Sequence, residues 1–503
     1  MSSLIETFSR SRPEAWPTLL AFVVGIVVPA LLFRRYSKLS DIPGPFFASL
    51  TRLWHVRHIV IGDQNLELVE LHRKHGHFVR VSHDEVSVSH PDGLRQILLA
   101  PLPKGPWYKA MQFPDWRWEN PMAELDPKEK VERSKNFAPA YTLSNLLKAE
   151  ANIDEVIARL CGWMDHYADQ GKPMDLDWFF TYASFDIIGE IIFSKQFGFL
   201  ESGTDIKNTI HNIANLNAYA ASAGFYRWFH YLLVNPFVTW AQLMPHNHLF
   251  EVTFGAVEER RKNPDARYDL IAHWLRVHEE HPERLSMKNI EAHSFQAVGA
   301  GSDTISSGLQ SFVYHIIRSP EGKHWQRCRD EIKAAQSQGR CKDRVVSYAD
   351  AQKLPHLQAC IKEALRVFSP TPMGLPRAVP EGGLTIGGKT FAPGTILSIN
   401  SWVMHYSTEI WGPDAAEFKP ERWLGDDAAV LEKYFMPNSH QWGQGYAACP
   451  GQKIARLELS KITATIVRDY EILQVDPQQQ WVWKARFAML PHDWPVYVIK
   501  ASS

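Results

Sequence analysis

The chain has 503 residues, of which 45% are hydrophobic and 12% aromatic, and its formal net charge is -1. A chain of this length can bury one large core or two ordinary ones. The near-zero charge excludes a nucleic-acid binder that depends on bulk positive charge. The five cysteines are scattered and include no Cys-x-x-Cys pair. They indicate neither a disulfide framework nor a zinc ribbon, and they fit a reducing compartment.

The first feature along the chain is an uncharged, mostly apolar run over residues 16–33, which Arg34, Arg35 and Lys38 follow. Eighteen helical residues span about 27 Å, close to the roughly 30 Å hydrocarbon core of a bilayer. The run predicts a single transmembrane helix, with residues 1–40 as the membrane anchor. A cleaved signal peptide is the rival interpretation, but the run is long and lacks a clear cleavage site. The basic cluster after it predicts that residues 41–503 form one domain on the cytosolic side.

Helical periodicity dominates the rest of the chain. Long amphipathic helices are predicted at about 144–169, 175–197, 205–222, 248–262, 286–318, 320–337, 350–368 and 452–470. Strand signals are short and few: one hairpin over 78–88, a second over 384–391, and a buried strand at 396–399. The pattern predicts a mainly α protein with a small β subdomain.

The helix predicted over 286–318, with Ser286 as its N-cap, carries an unusual central segment. Gly299 and Gly301 each cost a helix interior about 1 kcal/mol relative to alanine, which indicates close approach or widening at this point. Asp303 and Thr304 follow directly. An acid beside an alcohol on such a helix can form a short proton relay. The alternative is a glycine tolerated in a packed helix, with Asp303 solvated.

The most informative segment is the glycine-rich loop over residues 442–451, which contains Cys449 and runs into the helix predicted at 452–470. The unpaired N–H groups and partial positive charge of a helix N-terminus favour a thiolate. A thiolate can bind haem iron axially and favour O–O cleavage of dioxygen. The alternative is a buried free cysteine.

At these residues the chain resembles the cytochrome P450 family, whose signature is Phe-x-x-Gly-x-Arg-x-Cys-x-Gly. Gly445, Cys449 and Gly451 match, Trp442 replaces the phenylalanine, and Ala447 replaces the arginine. Residues 300–304 match the family's Ala/Gly-Gly-x-Asp/Glu-Thr motif. The resemblance implies the cytochrome P450-like fold, haem b (heme b) with Cys449 as its iron ligand, and Asp303 and Thr304 as the residues that manage protons.

The resemblance also raises the question of what holds the haem propionates. The family's arginine is missing at Ala447, and alignment places Ser134 where a second arginine is usual. We therefore expect Arg377 to bear most of the propionate charge, helped by Lys130, Arg133 or Tyr446, because buried carboxylates without cations are costly. A further family feature, a buried network that steadies the cysteine loop, would be carried by Glu363, Arg366 and Arg422; the default interpretation is a surface ion pair.

Further expectations concern the reaction, the substrate and the partner. The resemblance implies a monooxygenase that inserts one oxygen atom from O2 into a lipophilic small molecule, with electrons from NADPH-cytochrome P450 reductase, in the endoplasmic reticulum membrane. The residues of the C-terminal third resemble those of fungal family members that act in secondary metabolism. This resemblance implies that the substrate is a terpenoid, a polyketide or an alkaloid. A haem-thiolate isomerase, dehydratase or peroxide-using enzyme and a non-catalytic haem sensor or carrier are the alternatives.

Two sets of residues go with these expectations. The substrate pocket is expected to draw on residues 107–118, 218–243, 295–304, 371–375 and 487–490. A basic face for an acidic flavoprotein is expected from Lys128, Lys130, Arg133, Lys135, Lys453, Arg456 and Lys461, although interleaved glutamates make a merely solvated face nearly as good an explanation.

Overall fold

A computed structural model describes residues 15–241, 243, 247–263, 267–432, 442–443 and 445–501. The α-helices of five or more residues in this part of the chain are α1 Ala15–Tyr36, α2 Leu53–Ile61, α3 Gln64–His75, α4 Pro127–Phe137, α5 Glu150–Gln170, α6 Leu176–Phe193, α7 Thr209–Ala223, α8 Arg227–Leu233, α9 Pro236–Trp240, α10 Asn247–Lys262, α11 Leu270–Glu280, α12 Met287–Ile317, α13 Lys323–Ser337, α14 Pro355–Val367, α15 Ser401–His405, α16 Ala428–Glu432 and α17 Gln452–Asp469. Shorter α-helices, a π-helix at Leu94–Leu99 and short 3-10 helices such as Pro106–Met111 lie between them. The mainly α prediction is confirmed.

The strands are β1 Phe78–Arg80, β2 Glu85–Val88, β3 Gly374–Ala378, β4 Leu384–Ile386, β5 Lys389–Phe391, β6 Ile396–Asn400, β7 Tyr470–Gln474 and β8 Val496–Lys500. They form a sheet of order β1-β2-β6-β3 and two separate two-stranded antiparallel sheets, β4-β5 and β7-β8. Both predicted hairpins and the buried strand are confirmed. Strands β3, β7 and β8 were not predicted. Proline has no backbone N–H, so Pro376 disfavours the prediction of a strand from the sequence. Strand β3 forms nevertheless, because it lies at the edge of the sheet, where a missing N–H is tolerated.

The long helix α12 crosses the main core, and helix α6 packs against it. Helix α6 is buried along almost its whole length. The N-cap of α12 is Ser286, as predicted, and it forms a reciprocal capping box with Asn289. A β-carbon at Gly301 would lie 3.0 Å from Cδ1 of Ile188 on α6. Gly301 therefore permits the close approach of the two helices, whereas Gly299 has open space around it.

The N-terminal region forms helix α1, whose described residues include the exposed apolar side chains of Val24, Ile26, Leu31 and Phe33. Within the described part of the chain, no helix has both the length and the apolar character required to cross a bilayer. Arg10 and Arg12, which precede the apolar run, lie outside the described residues. The anchor over residues 1–40 stays a prediction, as does the domain division at residue 41.

Candidate active site

The loop before α17 is folded around Cys449. The amide of Cys449 donates a 2.7 Å hydrogen bond to the carbonyl of Trp442, which closes the loop. Gly445 has φ +62° and a β-carbon there would lie 2.6 Å from the carbonyl oxygen of Leu98. Only glycine fits this combination of left-handed backbone and close approach. A β-carbon at Gly451 would lie 3.7 Å from Sγ of Cys449, so the sulfur lies over the start of the helix.

The sulfur of Cys449 is subject to opposing effects. Its side chain keeps accessible surface, but surrounding protein atoms desolvate it, and this is the largest effect on its pKa, which it raises. Hydrogen bonds from the backbone N–H groups of Gly451 and Gln452 and the nearby charge of Lys130 act to lower the same pKa. Binding to a metal deprotonates a coordinating thiol outright. The loop therefore supplies hydrogen-bond donors that stabilise a thiolate. Binding to a metal cation would offset the desolvation cost that remains.

Three cations cluster beside this loop. Lys104 pairs with Arg377 through an antiparallel bridge between their backbones. Burial and, less strongly, the charges of Lys130 and Arg377 lower the pKa of Lys104 to about 6. Burial also lowers the pKa of Lys130 to about 8, against the opposing charge of Cys449. The amino group of Lys104 donates to the carbonyls of Pro121 and Met122, and none of the three side chains forms an ion pair with an acidic side chain in the described residues. A nearby anion would favour the charged form of each lysine, so the cluster suits an anionic ligand.

The neighbours of Arg377 reinforce this conclusion. Its guanidinium is 1% exposed. It donates hydrogen bonds to Tyr108 and to the carbonyl of Pro376, and it lies 5.7 Å from the ring centroid of Tyr446. Its Nε is buried and has no hydrogen-bond partner among the described residues, and the same holds for Nε1 of Trp442. A buried cationic donor without an acceptor is costly. These groups fit haem propionates, and the glycine-lined loop fits the flat porphyrin that the thiolate would hold.

Lys130 and Arg133 were also predicted to help hold the propionates, and only the first of them lies at the cysteine loop. Lys130 donates to the carbonyl of Tyr446, so it lies at the cysteine loop as expected. The guanidinium of Arg133 instead pairs with the carboxylates of Glu119 and Glu124. Lys104 was not predicted. No sequence pattern indicated it, because its bridge to Arg377 joins segments that are far apart in the chain.

The predicted acid and alcohol lie on α12. Asp303 is 1% exposed, and burial raises its pKa to about 7. Asn217 of α7 donates a 2.5 Å hydrogen bond to Oδ2 of Asp303, while Oδ1 has no hydrogen-bond partner in the described chain. The hydroxyl of Thr304 donates to the carbonyl of Ala300 over 2.8 Å. Asp303 is therefore not solvated on an outer face, and it can exchange a proton near neutral pH. Asn217 was missed because no local pattern links it to Asp303.

The acidic centre of the predicted Glu-Arg-Arg network is fully buried. Both Glu363 and Arg366 have 0% side-chain exposure, and two hydrogen bonds of 2.8 and 2.9 Å join them. Arg422 adds a contact of 3.3 Å to the same carboxylate. Arg366 also donates to three carbonyls of residues 405–417. The surface interpretation is therefore wrong, and the described partners tie α14 to the segment that precedes the cysteine loop.

Aromatic side chains of three predicted pocket segments meet. The indole N–H of Trp107 donates to the carbonyl of Ala221, and its ring stacks near Phe487. The ring of Phe113 contacts that of Phe295 on α12. A cavity is lined by Trp107, Phe225, Met373 and Gly374, so it joins the first, second and fourth predicted segments.

The predicted basic face requires one correction. Lys461 is fully buried and pairs with Glu150 and Asp154, so it cannot contribute to a surface. It lies on the inner side of α17, where two carboxylates compensate its charge. Lys128, Lys135 and Lys453 are exposed.

Comparisons with known proteins agree with this geometry. The family model described as Cytochrome P450 matches residues 43–493. The cytochrome P450 monooxygenase cicH of Emericella nidulans is 30% identical over 93% of this chain and 95% of its own length. Pisatin demethylase of Fusarium vanettenii is 30% identical over 91% of this chain and 89% of its own. The cytochrome P450 monooxygenase gsfF of Penicillium aethiopicum is 28% identical, covering 92% and 94%.

Proposed function

The chain belongs to the cytochrome P450 family and is a haem-thiolate monooxygenase, and we propose that it oxygenates a lipophilic intermediate of fungal secondary metabolism with electrons from an NADPH-dependent reductase. The observation that carries the proposal is the sulfur of Cys449, which lies at the N-terminus of α17 beside buried cations that have no acidic partner. When bound, haem supplies activation of dioxygen, which the electron-rich thiolate promotes.

The residues of the chain have separable tasks in this reaction. Cys449 would hold the iron, and Arg377, Lys104 and Lys130 would hold the propionates. The buried carboxyl of Asp303, with a pKa near 7, can accept a proton from solvent and release it toward the pocket at neutral pH. The hydroxyl of Thr304 is the next polar group on the same helix. This relay favours oxygenation, in which the reduction of dioxygen consumes protons from solvent, over isomerase or dehydratase chemistry, which consumes none overall.

Aromatic side chains near the predicted pocket segments support a lipophilic substrate. The ring of Phe295 contacts that of Phe113 and stacks on that of Phe250, with 4.2 Å between the latter two centroids. Large aromatic surfaces bind bulky apolar ligands well. A relative named pisatin demethylase removes, by its name, a methyl group from pisatin. We propose that the substrate is a terpenoid, a polyketide or an alkaloid.

Two observations support a membrane location. The described part of α1 exposes apolar side chains of residues 24–33. A second apolar surface comes from α8 and α9, where Trp228 is 70% exposed, Phe237 65% and Trp240 79%. Exposed apolar patches of this kind mark interaction with membranes or proteins. We propose that residues 1–40 anchor the enzyme in the endoplasmic reticulum membrane, with the catalytic domain cytosolic and the second surface resting on the bilayer.

The activity is tested with the full chain in reductase-supplemented microsomes. We expect NADPH-dependent gain of one 18O atom from 18O2 in a lipophilic product, detected by mass spectrometry across candidate terpenoids, polyketides and alkaloids. Cys449→Ser is expected to abolish both the product and the reduced carbon-monoxide spectrum. A parent protein without porphyrin, or an unchanged spectrum in Cys449→Ser, would overturn the proposal.

The reductase and the membrane are tested separately. Charge reversal at the exposed Lys128 and Lys453 is expected to slow reductase-supported turnover at low salt and to leave peroxide-supported turnover unchanged. Equal loss in both assays contradicts docking at this face. Deletion of residues 1–40 is expected to release the protein from microsomes only when Trp228 and Trp240 are also changed to serine.

A further inference from the structure

Two neighbouring helices repeat one spacing of metal-binding residues. Helix α13 carries His324 and Cys328, and helix α14 carries His356 and Cys360, in each case four residues apart. Residues at i and i+4 lie on the same helical face. The two helices pack against each other, and all four side chains are buried, with exposures of 5%, 0%, 3% and 0% in that order. Neither the haem nor the proton relay uses these residues.

The distances between the four ligand atoms form a continuous chain. Nδ1 of His324 lies 3.4 Å from Nε2 of His356. Nε2 of His356 lies 3.7 Å from Sγ of Cys360, which lies 3.9 Å from Sγ of Cys328. A tetrahedral zinc site with Zn–N near 2.0 Å and Zn–S near 2.3 Å has ligand–ligand edges of about 3.3 to 3.8 Å. The three separations correspond to three of the six edges of the tetrahedron, and each is 0.1 to 0.2 Å longer than the ideal edge, at about 3.3 Å for nitrogen–nitrogen, about 3.5 Å for nitrogen–sulfur and about 3.8 Å for sulfur–sulfur.

We propose that His324, Cys328, His356 and Cys360 form a structural zinc site of the Cys2His2 class that fastens α13 to α14. Ligand atoms of His324, His356 and Cys360 already lie within 4.8 Å of one another. Cys328 lies outside this group of three, and its sulfur, 3.9 Å from that of Cys360, is proposed as the fourth ligand. The proposal is independent of the haem and of the substrate.

Charge balance favours this occupant. Binding of Zn²⁺ releases the two thiol protons and leaves two thiolates, two neutral imidazoles and one dication, which is a neutral cluster. A neutral cluster avoids the large cost of an unpaired buried charge.

The two sulfurs of the cluster lie close together but are not bonded to each other. Zinc would bind both of them as thiolates. Because the site is enclosed, it would be filled while the helices pack.

The test measures metal in the full-length, haem-loaded enzyme expressed in zinc-replete medium and dialysed against EDTA. We expect about one zinc per haem by elemental analysis, and zinc K-edge absorption with two sulfur neighbours near 2.3 Å and two nitrogen neighbours near 2.0 Å. Cys360→Ser and His356→Ala are expected to lose the zinc while keeping haem. Cys161→Ser, at a cysteine outside the cluster, is the matched control and is expected to keep both.

The absorption measurement needs no variant, so a variant that fails to fold leaves the proposal testable. Less than about one tenth of a zinc per haem in the parent would overturn it. Equal zinc in the parent and Cys360→Ser would overturn it too, as would a zinc shell of oxygen and nitrogen only. A Cys328–Cys360 disulfide found by mass spectrometry in the freshly purified parent would also overturn it.

Discussion

The side-chain amide of Asn217 on α7 donates a 2.5 Å hydrogen bond to Oδ2 of Asp303 on α12. Burial of Asp303 raises its pKa to about 7, and this hydrogen bond is the one effect that acts to lower it. A donor to a carboxylate stabilises the charged form. Asn217 therefore controls how readily the acid ionises, without itself having a group that titrates.

Asn217→Leu is expected to raise the pKa of Asp303 above its present value near 7, because the donor that favours the carboxylate is removed. The acidic limb of the pH profile of turnover should move upward by up to about one pH unit. Asn215→Leu, on the exposed side of the same helix, is the control and should leave the limb in place. Identical profiles in the two variants would contradict the assignment.

Asp303 also makes stability depend on pH. Its folded pKa is about 7, whereas an unfolded aspartate titrates near about 3.9. Between these values the folded state keeps a proton that the unfolded state releases, so the free energy of unfolding falls as pH rises. Asp303→Asn lacks this penalty.

We expect Asp303→Asn to gain thermal stability over the parent as pH rises from about 4 to about 7, by at most about 4 kcal/mol. The measurement is calorimetry of the ferric, haem-loaded enzymes. Asp426→Asn, at an exposed aspartate, should show no such trend. A difference between parent and Asp303→Asn that is the same at pH 5 and pH 8 would refute the prediction.

Haem retention should depend on the cation cluster beside the cysteine loop. Arg377→Ala removes a buried guanidinium whose hydrogen bonds to a charged ligand contribute about 1.5–3 kcal/mol. Haem transfer to apomyoglobin is expected to accelerate by about 10- to 100-fold, and less in Lys104→Met. Arg133→Gln is the matched control, because that guanidinium pairs with Glu119 and Glu124. Equal rates of haem loss in Arg377→Ala and Arg133→Gln would show that Arg377 does not hold a propionate.

Glu363→Gln should destabilise the fold strongly. The substitution leaves the guanidinium of Arg366 buried without its carboxylate, a change that costs about 3–5 kcal/mol. The midpoint of urea denaturation is expected to fall accordingly. Glu132→Gln, which breaks the exposed pair with Lys135, should cost less than about 1 kcal/mol. Similar losses in both variants would mean that the buried network does not hold this region together.

Local patterns in the sequence were sufficient for the long helices, both hairpins and the segments that carry Cys449, Asp303 and Thr304. Such features depend on side-chain periodicity, caps and turn residues that lie within a few positions of one another. The membrane helix and the docking partner remain proposals, since they depend on a bilayer and a second protein.

Tertiary structure alone decided which distant residues meet. The bridge that sets Lys104 beside Arg377, the hydrogen bond from Asn217 to Asp303, the pairing of β7 with β8 and the burial of Lys461 each join segments far apart in the chain. The two His-x-x-x-Cys spacings are visible in the sequence, but only the packing of α13 on α14 turns them toward each other. Contacts of this kind follow from how helices and strands pack, which no periodicity within one segment encodes.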